Sequence, residues 1–242
     1  MVTVALGYVI YQYRINQIRN FAKKETAIAR LELEVVEQEL KALRAQMNPH
    51  FLFNTMNSIK GIIIKKEVRK ATDYLTKLSS LIRAILTNSE KKNIPLSQEL
   101  EALKLYIELE SLRFTTDFNY RIQVDKELDQ NFTRIPPLVL QPFVENAIWH
   151  GLLPKVTGRN ILNVNIFRIE DIVFCEIEDN GVGRRKILEN KPKKEHQSMG
   201  ISITQKRIQL LHPKNKIQII DLVDQKGSPL GTKVIIEIYF PE

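Results

Sequence analysis

Apolar residues recur at alternating intervals of four and three through residues 15–47, at Ala29, Leu33, Val36, Leu40, Leu43 and Met47. That spacing is a heptad seam and predicts a long helix with a parallel partner helix. A lone amphipathic helix packed within its own domain is the alternative, and the densely charged flanks favour the coiled coil. Pro49 removes a backbone donor and its ring clashes with the preceding turn, so the helix should be distorted just before His50. A second helix is predicted over 68–87, with Ala71, Tyr74, Leu75, Leu78, Leu81, Ile82 and Ile85 apolar. Two such helices make a hairpin, and two hairpins make a dimeric four-helix bundle. Residues 91–95 read as a linker. Ser97 can then cap a third helix running to about Arg113, with Gln98 and Glu99 in its first turn.

Beyond that helix the period changes. Strand-like alternation appears at 120–124, 162–167, 172–178, 216–221 and 233–240, and helices are expected at 137–150 and 200–211. Strands interleaved with helices on one face of a mixed sheet give an α/β sandwich. The predicted fold class is therefore α followed by α/β: a helical hairpin, then a sandwich domain, with no internal repeat.

Charge adds a direction to this outline. The net charge is +8, and residues 1–96 hold 16 Lys/Arg against 8 Asp/Glu, whereas residues 97–242 hold 20 of each. All the excess lies in the N-terminal third. No nucleic-acid recognition motif accompanies it, so no nucleic-acid partner is expected. A cationic segment beside an anionic cytoplasmic membrane surface fits better. Residues 2–11 are apolar, nearly uncharged and followed by Arg14, Arg19, Lys23 and Lys24. A full span takes ~20 apolar residues, so this run resembles the cytoplasmic end of a transmembrane helix, with interfacial tyrosines and inside positives. A short amphipathic start is the plain alternative. A cleaved signal peptide is disfavoured because no small-residue cleavage site follows. The single cysteine, Cys175, excludes an internal disulfide framework and points to a reducing compartment. Its place in the alternating run Ile-Val-Phe-Cys-Glu-Ile-Glu marks it as a packing residue.

Three blocks carry candidate chemistry. Residues 46–58 read Q-M-N-P-H-F-L-F-N-T-M-N-S, which sets an imidazole on a helix between Asn-Pro and an aromatic pair. Residues 145–151 read E-N-A-I-W-H-G, and residues 178–183 read E-D-N-G-V-G. Taken singly, D-N-G is an ordinary turn, and His150 can be a packing residue at a helix end. In this order the blocks resemble the two halves of a sensor histidine kinase, most closely the autolysin-regulator (Lyt-type) family, and residues 106–114 (Y-I-E-L-E-S-L-R-F) add to the likeness. The second half resembles the ATP-binding fold shared by gyrase, heat-shock chaperones, histidine kinases and mismatch-repair ATPases.

The resemblance implies a division into 1–14, the end of a membrane helix; 15–46, a signalling coiled coil; 47–92, the dimerisation and phosphoacceptor helices; and 97–242, the ATP-binding domain. It implies ATP and Mg²⁺ as cofactors, a homodimer, a response regulator as partner and a plasma-membrane location with this region cytoplasmic. His50 takes the place of the phosphorylated histidine. Asn146 takes that of the asparagine that holds Mg²⁺, a suitable hard oxygen ligand. Asp179 takes that of the carboxylate facing the adenine amino group, and Gly181 and Gly183 open the turn that closes the pocket. Gly200, opening a helix, matches the second glycine box, and Gly231-Thr232 the late Gly-Thr pair whose hydroxyl reaches the adenine. His150 is grouped with the nucleotide-binding residues, and Glu145 with the catalytic ones. His196 and His212 are read as solvated residues without a role.

The chain departs from the pattern in places. Phe51 stands where the common kinase class has an acid to take the imidazole proton, Trp149 replaces a basic residue near the phosphates, and residues 198–202 hold one glycine where two or three are usual. Asn54 lies one helical turn past His50 on the same face and could fix its tautomer through the amide oxygen. Residues 184–199 read as a polar, lysine-rich lid. Two other readings stay open: a nucleotide-binding but catalytically silent partner, from the thin glycine box, and a coiled-coil membrane scaffold. The scaffold reading leaves Asn146, Asp179 and Gly183 without a reason.

Overall fold

The computed structural model describes residues 12, 14–17, 19–20, 49–112, 118–156, 158–184 and 199–240, with the backbone alone for 49–50 and 199–203. The chain divides into two units, Met1–Met47 and Asn48–Glu242. In the first unit, the described residues 12, 14–17 and 19–20 are helical. The heptad seam at 29–47, the apolar run at 2–11 and the backbone just before Pro49 lie outside the described residues, as do the lid residues 185–198. Among the described residues no helix is long and apolar enough to cross a membrane.

The second unit opens with a helical hairpin, α1 (Pro49–Ile64) and α2 (Val68–Ser89). Its turn closes at Lys66, held at φ 61 by bonds from the Lys66 and Glu67 amides back to Ile63 and Ile62. The apolar positions of α2 bury Ala71, Tyr74, Leu78, Leu81 and Ile85 as their spacing predicts. Much of that stripe meets α3 (Leu96–Ser111). The Tyr74 hydroxyl donates to the Leu109 carbonyl at 2.8 Å, and Lys77 bridges Glu108 at 2.9 Å.

The α3 boundary differs from expectation. Ser97 is not the cap; the helix starts at Leu96 with Pro95 at the capping position and no side-chain cap. The loop before β3 (Arg134–Ile135) does the work instead: the Leu96 amide donates to the Thr133 carbonyl and the Ser97 amide to that of Gln130, both at 2.9 Å. The preceding linker is not structureless either. Ile94, fully buried, and Pro95 form β1 (Ile94–Pro95), which pairs antiparallel with β3.

Five longer strands make the sheet: β2 (Phe118–Val124), β4 (Asn160–Ile169), β5 (Ile172–Asp179), β6 (Lys216–Val223) and β7 (Pro229–Tyr239). Their order is β2-β4-β5-β7-β6, with β2 parallel to β4 and the other pairs antiparallel. Period-two alternation sends Leu162, Val164, Ile166, Val173, Cys175, Ile177, Val234, Ile236 and Ile238 into the core. On the opposite face of the sheet, Lys233 bridges Glu176 at 2.9 Å. Helices α3, α4 (Gln141–Asn146) and α5 (Met199–Leu211) complete the α/β layering.

The expected helix at 137–150 is shifted and divided. Pro136 and Pro137 keep the chain out of helix, Leu138 turns through φ 55, and α4 starts only at Gln141. After Asn146 the coil widens to a π-helical turn, Ala147–Leu152, closed by the Leu153 amide on the Ile148 carbonyl five residues back.

The Tyr74 bond gives a direct test of the hairpin's seat. Tyr74→Phe should lower the unfolding free energy by on the order of 1 kcal/mol, because one buried hydrogen bond is lost with little change of shape. Urea denaturation measures this, and an unchanged midpoint would show that the bond contributes nothing net.

Candidate functional site

The centre of the site is Asp179. Alternation along β5 puts it on the same face as Cys175 and Ile177, so it points into the helix-covered layer and is 4% exposed. A carboxylate in that position is costly unless donors converge on it. The Gly181 amide donates to Oδ1 at 2.8 Å, and the Thr232 amide donates as well. Thr232 is the residue paired with Asp179 across β5 and β7, half-buried on the same face. These donors do not offset the lost hydration. Burial pushes the Asp179 carboxyl up to about 6, with Glu178 adding to the rise and Lys155 opposing it.

Glycines make room for this carboxylate, each for its own reason. A Cβ at Gly151 would lie 2.5 Å from Asp179 Oδ1, so the π-turn can rest on the carboxylate only as glycine. A Cβ at Gly181 would fall 2.1 Å from the Gly151 carbonyl, where the Val182 amide bonds at 3.0 Å. Gly181 is thus needed for close approach, whereas Gly183 is needed for its φ of 71. Gly231 combines both demands, with φ 142 and a Cβ position 1.9 Å from the Asp179 carbonyl oxygen.

Asn146 ends α4, half-buried. Its amide nitrogen donates to the Pro142 carbonyl. That commitment leaves the amide oxygen as the end available to a cation. Among the described residues no group of three His, Cys, Asp or Glu could hold a metal ion. Mg²⁺ is commonly held by one or two protein oxygens plus substrate phosphates and water, and Asn146 fits that mode. Glu145 is half-buried and engaged with a neighbour, and so is Trp149. His150 is exposed on the π-turn and engaged as well. Gly200 lies in the first turn of α5.

His50 is the second residue of α1, and Asn54, half-buried and partnered, follows one turn later. Phe51, in the place of the missing acid, packs its ring 5.3 Å from that of Tyr106 on α3. The position that could have held a base serves instead to seat the hairpin.

Residues 38–118 match the family model described as histidine kinase. The sensor protein LytS of Oceanobacillus iheyensis is 36% identical over 192 residues, covering 76% of this chain and 32% of that protein. LytS of Bacillus subtilis is 38% identical over 149 residues, 61% of this chain and 24% of that one. The chain belongs among the Lyt-type sensor histidine kinases. It spans about a quarter to a third of the length of these curated relatives. In Staphylococcus aureus the relative is named a sensor histidine kinase/phosphatase LytS, 36% identical over 151 residues, 62% of this chain and 25% of that protein. Among solved structures, the histidine kinase domain of an Erythrobacter litoralis blue-light activated histidine kinase overlaps with a TM-score of 0.45 at 14% identity, over 85% of this chain and 95% of that one.

In this member of the family the structure gathers Asp179, Gly181, Gly183 and Thr232 around one turn, with Gly151 of the π-turn lying on it. Three residues were not singled out from the sequence. Gly151 was visible only as part of a motif, because the need for a missing side chain depends on a carboxylate 28 positions later. Lys155 donates from Nζ to the Asn180 carbonyl at 2.8 Å and to that of Arg159 at 3.1 Å, holding the turn from outside. Asn180 accepts the Ile161 amide at 2.9 Å and donates to Arg159, so it extends the β4–β5 ladder as well as making a turn.

The raised Asp179 value sets a pH dependence. Its folded value, about 6, exceeds the ordinary 3.8, so the native state holds this proton more tightly than the unfolded chain. The associated stability is complete below pH 4 and is lost as pH rises through 6. Relative to Asp179→Asn, the unfolding free energy of the parent should fall by about 2 kcal/mol between pH 4 and pH 7. Parallel denaturation profiles of the two proteins across that window would contradict the assignment.

Proposed function

We propose that this chain is the kinase region of a two-component sensor, which phosphorylates itself on His50 from ATP and passes the phosphoryl group to an aspartate of a response regulator. The observation that carries the reading is the buried Asp179 carboxylate, raised to about 6 and enclosed by Gly151, Gly181 and Gly231. An ionised carboxylate can accept more than the two backbone donors it has. An adenine amino group supplies another, and the glycines let a flat ring approach the backbone. Thr232, half-buried beside Asp179, is assigned to the same ring. His150 and Gly200 are assigned to the nucleotide through the family pattern.

Asn146 is assigned to Mg²⁺, which when bound neutralises charge developing on the phosphates. The neutral His50 ring nitrogen forms a bond to the γ-phosphorus while the bond from that phosphorus to the bridging oxygen of ADP breaks, and ADP leaves. The nucleophile needs no base to expose its lone pair; it needs the correct tautomer and position. Asn54 is assigned the task of holding the other ring N–H, and Glu145 that of assisting near the phosphates. A carboxamide can also orient a water toward a phosphoaspartate, which agrees with the kinase/phosphatase name of the Staphylococcus aureus relative.

The reading includes a homodimer. Phe53, Met56, Ile63 and Ile64 on α1 are all more than half exposed, and Leu75 and Leu86 on α2 are 43% and 52% exposed. Apolar stripes of that extent on a hairpin ask for cover, and a second hairpin in a four-helix bundle supplies it. The N-terminal apolar run and its following cations are assigned to a membrane tether at the cytoplasmic side.

Radiolabelled ATP tests the assignment. His50→Gln should abolish acid-labile, base-stable label and leave nucleotide binding intact. Asp179→Asn should weaken nucleotide binding by on the order of 1–3 kcal/mol through loss of a charge-assisted hydrogen bond. Label that persists on His50→Gln, or an unchanged affinity in Asp179→Asn, would overturn the corresponding half of the mechanism.

Asn54→Ala separates orientation from packing. It should slow autophosphorylation and regulator dephosphorylation by about tenfold or more, equivalent to ~1.4 kcal/mol, with ATP affinity unchanged. Rates within about twofold of the parent would remove Asn54 from the mechanism.

A further inference from the structure

Glu99 is the one acidic residue in the first turn of α3 and is 2% exposed. Its carboxylate reaches across to the loop before α4. Oε2 accepts the Leu138 amide at 2.7 Å and Oε1 the Leu140 amide at 3.1 Å, with the Val139 amide contributing. Three consecutive amides therefore converge on one carboxylate. Helix α4 has no side-chain cap of its own, and the three amides held by Glu99 are those of its N-cap residue, Leu140, and the two residues before it, so Glu99 fixes from another helix the backbone that enters α4. It also holds Leu138 at φ 55, a left-handed conformation that a leucine rarely adopts. Burial raises the Glu99 carboxyl above the usual carboxylate range, with these amides and Arg207 opposing the rise. A carboxylate this buried is expensive, and its hydrogen bonds all serve the entry to α4.

What α4 carries gives the clamp its consequence. Its α-helical part is six residues long, has Asn146 as its last residue and runs directly into the π-turn. Asn146 lies less than two turns from the start of α4, so a shift at Gln141 moves it as well. The far end of α3 is tied to the hairpin by Tyr74 on Leu109. One helix thus joins the segment bearing His50 to the segment bearing Asn146.

We propose that Glu99 is a positioning residue for Asn146, setting the strength with which the site takes Mg²⁺ together with nucleotide. The proposal rests on the reading of Asn146 given above. The test is fluorescence anisotropy of a labelled ATP analogue on the whole chain, in EDTA and across a MgCl₂ titration. In Glu99→Gln one carboxylate oxygen becomes a donor, and one of the amides loses its acceptor. The Mg²⁺ concentration for half-maximal binding should rise about tenfold, while affinity in EDTA, which depends on Asp179, stays within twofold. Adding Leu138→Gly, which takes the left-handed conformation without strain, should return the Mg²⁺ midpoint to within threefold of the parent. Glu99→Asp keeps the charge with a shorter reach and should shift the midpoint in the same direction, and it serves if Glu99→Gln does not fold. An unmoved midpoint in the folded variants overturns the proposal. So does an equal loss of affinity with and without Mg²⁺, the mark of a merely structural role. Parent protein whose nucleotide binding ignores Mg²⁺, or is unaffected by Asn146→Ala, would instead refute the Asn146 reading on which the proposal stands.

Discussion

The desolvation of one carboxylate governs the architecture of the C-terminal half. Asp179 is carried into the apolar layer by strand parity, and everything near it is arranged to permit that. Two backbone amides turn toward it, the π-turn meets it with a glycine, and β7 passes beside it with another. The accommodation is incomplete, as its value of about 6 shows. A folded protein rarely keeps a partly compensated buried acid for stability alone, because a neutral residue of the same size would cost less. The shortfall in donors is what makes the position suited to a ligand that brings one.

The π-turn follows from the same constraint. Helix α4 must deliver Asn146 at its end and then bring Gly151 down on Asp179. Widening the coil directly after Asn146 changes which side chains face the sheet without ending the helix. Ala147, Ile148 and Leu152 stay buried through the turn, and His150 is left exposed. One wide turn thus serves two neighbouring demands, the placement of the Asn146 amide and a bare backbone over the carboxylate.

What was legible in the sequence divides along the range of the forces involved. The strands of the sheet follow from period-two burial, a local signal, and their cores fall where alternation places them. The α2 stripe is likewise local. Boundaries set by distant partners were not readable. Ser97 looks like a cap, yet the loop at 130–133 already satisfies the first amides of α3. The helix expected from Pro137 begins at Gln141 because Glu99, about 40 residues earlier, holds Leu138 and Leu140 in a different conformation. Within the site, Asp179 and its following glycines were visible as a motif, but the separate reasons for Gly151, Gly181 and Gly183 appear only once the π-turn is placed against β5.

Phe51 shows how the two halves of the chain compete for the same positions. Beside the candidate nucleophile an acid would serve proton transfer, and an aromatic serves attachment to α3 through Tyr106. An imidazole that attacks as the neutral form has its lone pair before the reaction begins, so the acid is dispensable if the tautomer is fixed by other means. The described contacts that hold the hairpin to the sandwich domain include the buried α2 stripe, the Phe51–Tyr106 rings, the Tyr74 hydroxyl on Leu109 and Lys77 on Glu108. These contacts converge on one helix, α3, whose first turn also anchors the loop leading to Asn146. Giving position 51 to packing therefore attaches the hairpin to the same helix whose Glu99 anchors the loop leading to Asn146, and under the proposed mechanism the orienting of the imidazole falls to Asn54.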